Sequence, residues 1–180
     1  MAEIKIESTL EQRGEKIRSL RMAQNDSMRS LLEDSNCYTN ESNLCNIEHG
    51  NKECSICVIV ALAHELNTSV DSLIYEPCTP EASGTNQKKK NSIFLPRFTG
   101  RMIQKLRKER GINVKEFAEM VGCCTEHISR IENGHKIPPL QKYIKMADAL
   151  GVPLSAIVYQ EADTQEEADR DLPEKKRKKK

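Results

Sequence analysis

The strongest constraint on this chain is that it contains one pattern twice. Gly14, Ile17, Leu20 and Arg21 correspond to Gly100, Ile103, Leu106 and Arg107, 86 positions further on, and Ser27, Met28 and Leu31 correspond to Asn113, Val114 and Phe117 at the same offset. From Ile47, Glu48, Gly50 and Lys52 the offset becomes 84, matching Ile131, Glu132, Gly134 and Lys136. It continues through Ala63, Leu66, Leu73 and Tyr75 to Ala147, Leu150, Ile157 and Tyr159. The first copy therefore holds two extra residues, between Asn36 and Asn40. A period this long means two similar small domains and not a solenoid, whose repeats run to roughly 20–50 residues. A chain of 180 residues has room for both, because domains usually take about 50–250 residues.

Each copy reads as a set of helices. In the second, Thr99 is expected to cap a first helix that places Ile103 and Leu106 on one face. Asn113 followed by Glu116 resembles a capping box opening a second helix, with Phe117, Ala118 and Val121 inward, and Gly122 ends it. A third helix starts near Cys124, carries Ile128 and Ile131 three apart, and stops at Gly134. Pro138 and Pro139 precede a fourth, whose Leu140, Tyr143, Ile144, Ala147 and Leu150 follow an i, i+3, i+4, i+7 pattern. Pro153 opens a short fifth with Leu154 and Ile157. Aromatic residues are only 4% and there is no Trp, so the core must be aliphatic. The expected fold is all-α: two tandem five-helix domains at residues 13–75 and 99–160, with an arm at 1–12, a linker at 76–98 and a charged tail at 161–180.

The second copy, "LRKERGINVKEFAEMVGCCTEHISRIENGHKIPPLQKYIKMADALGVPLSAIV", resembles the Cro-type, lambda-repressor-like (XRE) helix-turn-helix family over nearly its whole length, including "RIENG" and "ADALGV". The first copy resembles it more loosely. The resemblance implies that the third helix is presented to the major groove of double-stranded DNA. Position by position, it makes Thr125, Glu126 and Arg130 outward base readers, with Ser129 beside them. Arg130 is the strongest of these, because a guanidinium can bond bidentately to guanine. Lys115, His135 and Lys136 are candidates for phosphate contacts. The resemblance also implies two structural ion pairs, Arg107 with Glu132 and Arg21 with Glu48, ending the third helix against the first. Two departures weaken the likeness: Val114 stands where the family often has Gln, and Cys124 stands where it has Ser or Thr, which are better caps.

The copies differ in charge. Residues 13–75 carry 6 Lys and Arg against 9 Asp and Glu, whereas residues 99–160 carry 10 against 6. The first copy's aligned outward positions are Glu41, Ser42 and Asn46, with no cation to meet a polyanion. Pairing, regulation or stabilisation, including contact with a protein partner, is its expected role. The function expected of the whole is a DNA-binding transcriptional regulator, a repressor, that works as a homodimer or uses its tandem copies in part for that purpose. The alternative is a protein-interaction module, antitoxin-like or a coregulator, in which the third helix binds protein.

Seven cysteines cannot all pair within one chain, and without an apolar N-terminal leader reduced thiols are the default. Cys45, His49, Cys54 and Cys57 lie close in sequence, and "CSIC" has the spacing of metal ligands or a redox pair, but no second C-x-x-C accompanies it. Buried structural cysteines are the better reading, so neither metal nor cofactor is expected. Vicinal Cys123 and Cys124, at the turn before the third helix, raise the idea that oxidation disturbs DNA binding. No phosphate-cradling Gly loop and no nucleophile with a base is visible, which speaks against an enzyme. No apolar run reaches the ~18–20 residues that span a bilayer, so a cytoplasmic protein is expected. The linker, "EPCTPEASGTNQKKKNSIFLPRF", is rich in Pro, Ser, Gly and Lys; a flexible chain of that length spans roughly 26 Å, against ~34 Å between half-sites one DNA turn apart. The tail ends in the basic run "EKKRKKK", which can hold DNA without sequence preference.

Overall fold

The structure, a computed structural model, describes residues 8–33, 39–75 and 96–159. Its elements among these residues are ten α-helices: α1 (Leu10–Ala23), α2 (Met28–Glu33), α3 (Glu41–Glu48), α4 (Ile56–Glu65), α5 (Val70–Ile74), α6 (Pro96–Glu109), α7 (Val114–Val121), α8 (Thr125–Glu132), α9 (Leu140–Ala149) and α10 (Leu154–Val158). The all-α expectation holds. The chain divides into two compact units, Met1–Phe94 with Pro139–Tyr143 and Leu95–Pro138 with Ile144–Lys180. The division is thus not contiguous in sequence, and residues 139–143 fall with the first unit.

Short helices of this kind depend on their caps, because a helix of five to ten residues has most of its terminal N–H and C=O groups without internal partners. The sequence supplies them. Thr9 and Gln12 form a reciprocal capping box at α1, Asn40 accepts from the Asn43 N–H at α3, and Asn113 accepts from the Glu116 N–H at α7. Ser55 and Ser69 do the same for α4 and α5. Only the Asn113 half of the box expected between Asn113 and Glu116 is formed by this bond.

Each first helix begins earlier than its sequence suggests. Thr99 is not a cap: α6 starts at Pro96, and Thr99 lies inside the helix, fully buried. Pro96 explains the shift, since proline is favoured at the first helical position, where its missing N–H costs nothing and its fixed φ suits a helix. The last three residues of the segment read as linker are therefore helical, while residues 76–95 lie outside those described. In the same way residues 10–12, read as arm, form the start of α1. The backbone N–H of Ser8 donates to the Ile74 carbonyl at 2.8 Å, tying this start to the end of α5. The site of the two extra residues falls largely at 34–38, and the tail at 161–180; both are outside the described residues.

Within the first unit α1 packs on α3 and α5, α2 on α3, and α4 on α5. The core is Ile17, Leu31, Leu44, Ile47, Ile59, Leu62, Leu66, Leu73 and their neighbours. Within the second unit α6 packs on α8 and α10, and α7 on α8, around Ile103, Phe117, Val121, Ile128, Ile131, Leu154 and Ile157.

One junction is built in the same way in both units. Gly100 of α6 lies so close to the end of α8 that a Cβ there would meet the Ile131 carbonyl oxygen and come within 2.6 Å of the Glu132 oxygen. Gly14 of α1 makes the same approach to Ile47 and to Glu48, whose oxygen would be 2.7 Å away. About two helical turns along the first helix, the expected ion pairs close the junction. Arg107 Nε and Nη2 donate to the two Glu132 oxygens at 2.7 and 3.1 Å, and Arg21 donates likewise to Glu48 at 2.7 and 2.8 Å. All four residues are buried. The remaining guanidinium nitrogen donates to the Ile112 carbonyl in one case and to that of Asp26 in the other, both at 2.8 Å. The hydrogen bonds to Glu132 and Glu48 push both arginines further above their already high range. A bidentate pair fixes orientation as well as distance, so α8 and α3 each have one position on their first helix.

Candidate nucleic-acid interface

The segment that presents α8 is a tight turn. At the end of α7 the Gly122 N–H donates to Glu119 and the Cys123 N–H to Ala118, at 3.1 and 2.9 Å, with Gly122 left-handed at φ 69°. This is a Schellman ending, which any residue with a Cβ adopts at a penalty. Cys124 then stands at the N-cap of α8 in extended conformation and makes no side-chain capping bond. The N-terminal N–H groups of α8 lack the acceptor that Asn40 supplies to α3. Cys124→Ser is expected to add it and raise stability by about 0.5–1 kcal/mol. An unchanged denaturant midpoint would show that the backbone here does not admit the bond.

Ile128 and Ile131 anchor α8 to the core, 1% and 2% exposed. Thr125, Glu126, Ser129 and Arg130, the expected base readers, all lie on the exposed side. Glu126 and Arg130 are one turn apart, their charged atoms 3.9 Å from each other. Both are more than half exposed, so solvent screens the pair and leaves Arg130 able to exchange it for another acceptor. Beyond α8 the chain turns at Gly134, left-handed at φ 70°, with the His135 N–H donating to the Arg130 carbonyl at 2.8 Å. His135 and Lys136 follow, exposed, as is Lys115 in the first turn of α7.

Two neighbours of this surface were not legible in the sequence. His127 is half-buried on α8 and its Nδ1 lies 3.5 Å from the Lys136 ammonium, which places the lysine back over the helix. Arg97 of α6 lies against Gly134, where an added Cβ would come within 2.7 Å of the Arg97 Cα. A histidine in a helix and an arginine before the expected start of α6 carry no signal of either approach.

Residues 103–157 match the helix-turn-helix family model. This segment is one helix-turn-helix domain of the Cro type. The match begins inside α6 and ends inside α10, so it takes in the α7–α8 turn and the whole exposed face just described. No curated protein matches the chain.

The corresponding helix of the first unit is different. Glu41, Ser42 and Asn46 are exposed on α3, and its eight residues include neither Lys nor Arg. Cys45 and His49 sit one turn apart, Sγ to Nδ1 3.6 Å, with His49 Nδ1 also 2.7 Å from the Cys45 carbonyl oxygen. Cys54 is buried below, and burial pushes its thiol up to about 11, partly opposed by the nearby Arg13. Burial also raises Cys57, in α4. A thiol held protonated is a poor nucleophile at neutral pH. Among the described residues no three His, Cys, Asp or Glu side chains come together to hold a metal ion. No helix among them is long and apolar enough to cross a membrane.

Proposed function

We propose that the chain is a sequence-specific DNA-binding transcriptional regulator that reads the major groove with α8, and that it represses by occupying its site. The observation that carries this reading is the face of α8: Thr125, Glu126, Ser129 and Arg130 point away from a helix that two isoleucines and a buried ion pair hold in place. A helix so fixed can offer side chains to base edges at little cost in lost freedom. His135, Lys136 and Lys115 flank it with positive charge for phosphates.

The first unit, in this reading, is a second copy of the same fold that has kept the framework and lost the reading surface. The duplicated glycine approach and the duplicated bidentate pair support the common fold. The uncharged or acidic face of α3 supports a role in pairing or in binding a protein. A homodimer, or the two copies of one chain, would set the spacing of half-sites on DNA.

The test uses the full chain and a duplex selected for binding. Arg130→Ala should cost about 1–3 kcal/mol of affinity for that duplex if the guanidinium reads guanine, with little change for random duplex. Equal loss on both duplexes would reduce Arg130 to a phosphate ligand. No salt-dependent binding to any duplex would favour the protein-interaction reading. A reporter whose promoter contains the selected site should lose expression in the presence of the chain, and a gain would reverse the sense of regulation.

A further inference from the structure

The first helix of the DNA-reading unit carries a row of cations away from the reading face. Arg97, Arg101, Lys105 and Lys108 are all exposed on α6. At 3.6 residues per turn they fall within an arc of about 80°, along roughly 16 Å of helix. The arc has a defined place in the unit. Gly100 faces the end of α8; next around the helix is Gln104, whose amide donates to Glu132 at 3.3 Å; next is Arg97, against Gly134. The cationic arc starts there, beside the Gly134 turn that leads to His135 and Lys136, and continues around the exposed side of α6. Arg107, on the same helix, is turned inward to Glu132 and takes no part. Lys105 lies 4.0 Å from Glu109, a pair exposed enough for solvent to screen.

The first unit supplies an internal comparison. The positions equivalent to Arg97, Arg101, Lys105 and Lys108 are Glu11, Glu15, Ser19 and Met22, all exposed as well. The fold therefore does not require cations on this side of the helix. They occur in the unit whose third helix presents Arg130, and acids replace two of them in the unit whose third helix has no cation.

We propose that this flank of α6 is a second DNA-binding surface, a ridge that binds the phosphate backbone beside the segment read by α8. The inference rests on the DNA-reading function proposed above. Four cations over that length can follow the phosphates of about five base pairs, at ~3.4 Å per base pair along each strand. Phosphate contacts of this type fix register and add affinity without adding sequence preference.

Affinity of the full chain should be measured against salt concentration for wild type, for Arg97→Gln/Arg101→Gln/Lys105→Gln/Lys108→Gln, and for Arg97→Lys/Arg101→Lys, on selected and on random duplex. Removing one cation from a phosphate should reduce the slope of log affinity against log salt by about 0.9. The quadruple variant is expected to flatten the slope by about 2–4, to weaken on both duplexes alike, and to keep its specificity ratio; the lysine variant should keep the wild-type slope. A quadruple variant with unchanged slope overturns the ridge while leaving the α8 reading intact. Loss of the specificity ratio in place of slope also overturns it. A wild type that binds no DNA overturns both.

Discussion

Arg107→Ala and Glu132→Ala are each expected to destabilise the second unit by about 3–5 kcal/mol, because each leaves a charge buried without its partner. The pair lies at 5% and 4% exposure and exchanges two hydrogen bonds, so neither group can recover water by a small movement. The pair itself contributes much less than this cost, since desolvation offsets most of the attraction. Arg107→Met combined with Glu132→Leu should therefore recover most of the loss. Urea denaturation of the full chain, followed by helicity, separates the cases. Single variants that cost under ~1 kcal/mol would place the pair in solvent. The same comparison at Arg21 and Glu48 should give an effect of similar size, because the bonds differ by at most a few tenths of an ångström.

Gly100→Ala is expected to damage the second unit far more than a methyl group added where there is space. Its Cβ would come within 2.6 Å of the Glu132 oxygen and 2.9 Å of its carbonyl carbon, both backbone atoms at the end of α8. No side chain can rotate away, so α6 must lift off α8, with strain of about 1–3 kcal/mol or more. That movement also pulls Arg107 from Glu132 and tilts the reading face. Stability and DNA affinity should fall together, which a substitution on the exposed face would not cause. Gly122→Ala provides the contrast: nothing lies within 4 Å of its Cβ, and only the left-handed φ of 69° is penalised, at about 1 kcal/mol. If the two alanines cost the same stability, the close approach of α6 to α8 is not as described.

The recurring sequence pattern was legible because it falls on residues that the packing cannot exchange. Gly14 and Gly100, Arg21 and Arg107, and Glu48 and Glu132 recur in sequence, and each does the same thing in its unit. The outward positions of α8 came from the family resemblance, and Ile128 and Ile131, three apart and buried, are consistent with them. The start of α6 was not legible. Thr99 has the chemistry of a cap, whereas Pro96, which sets the start, lies in a stretch whose composition reads as linker. Arg13, at the position equivalent to Thr99, is also buried at 2%, donating to the Ser8 carbonyl at 3.2 Å and lying 3.8 Å from Glu53. Forty residues separate that arginine from that glutamate, and no local pattern announces such a meeting. The placement of Arg97 beside Gly134 is of the same kind.

Base reading by α8 is tested most directly by selecting binding sites from random duplexes with the full chain and with its Arg130→Ala variant. The wild type should enrich one motif, and the variant should enrich the same motif with the preference for guanine lost at a single position. Enrichment of no motif by the wild type, or a motif that the variant reproduces at every position, would mean that Arg130 on α8 does not read bases.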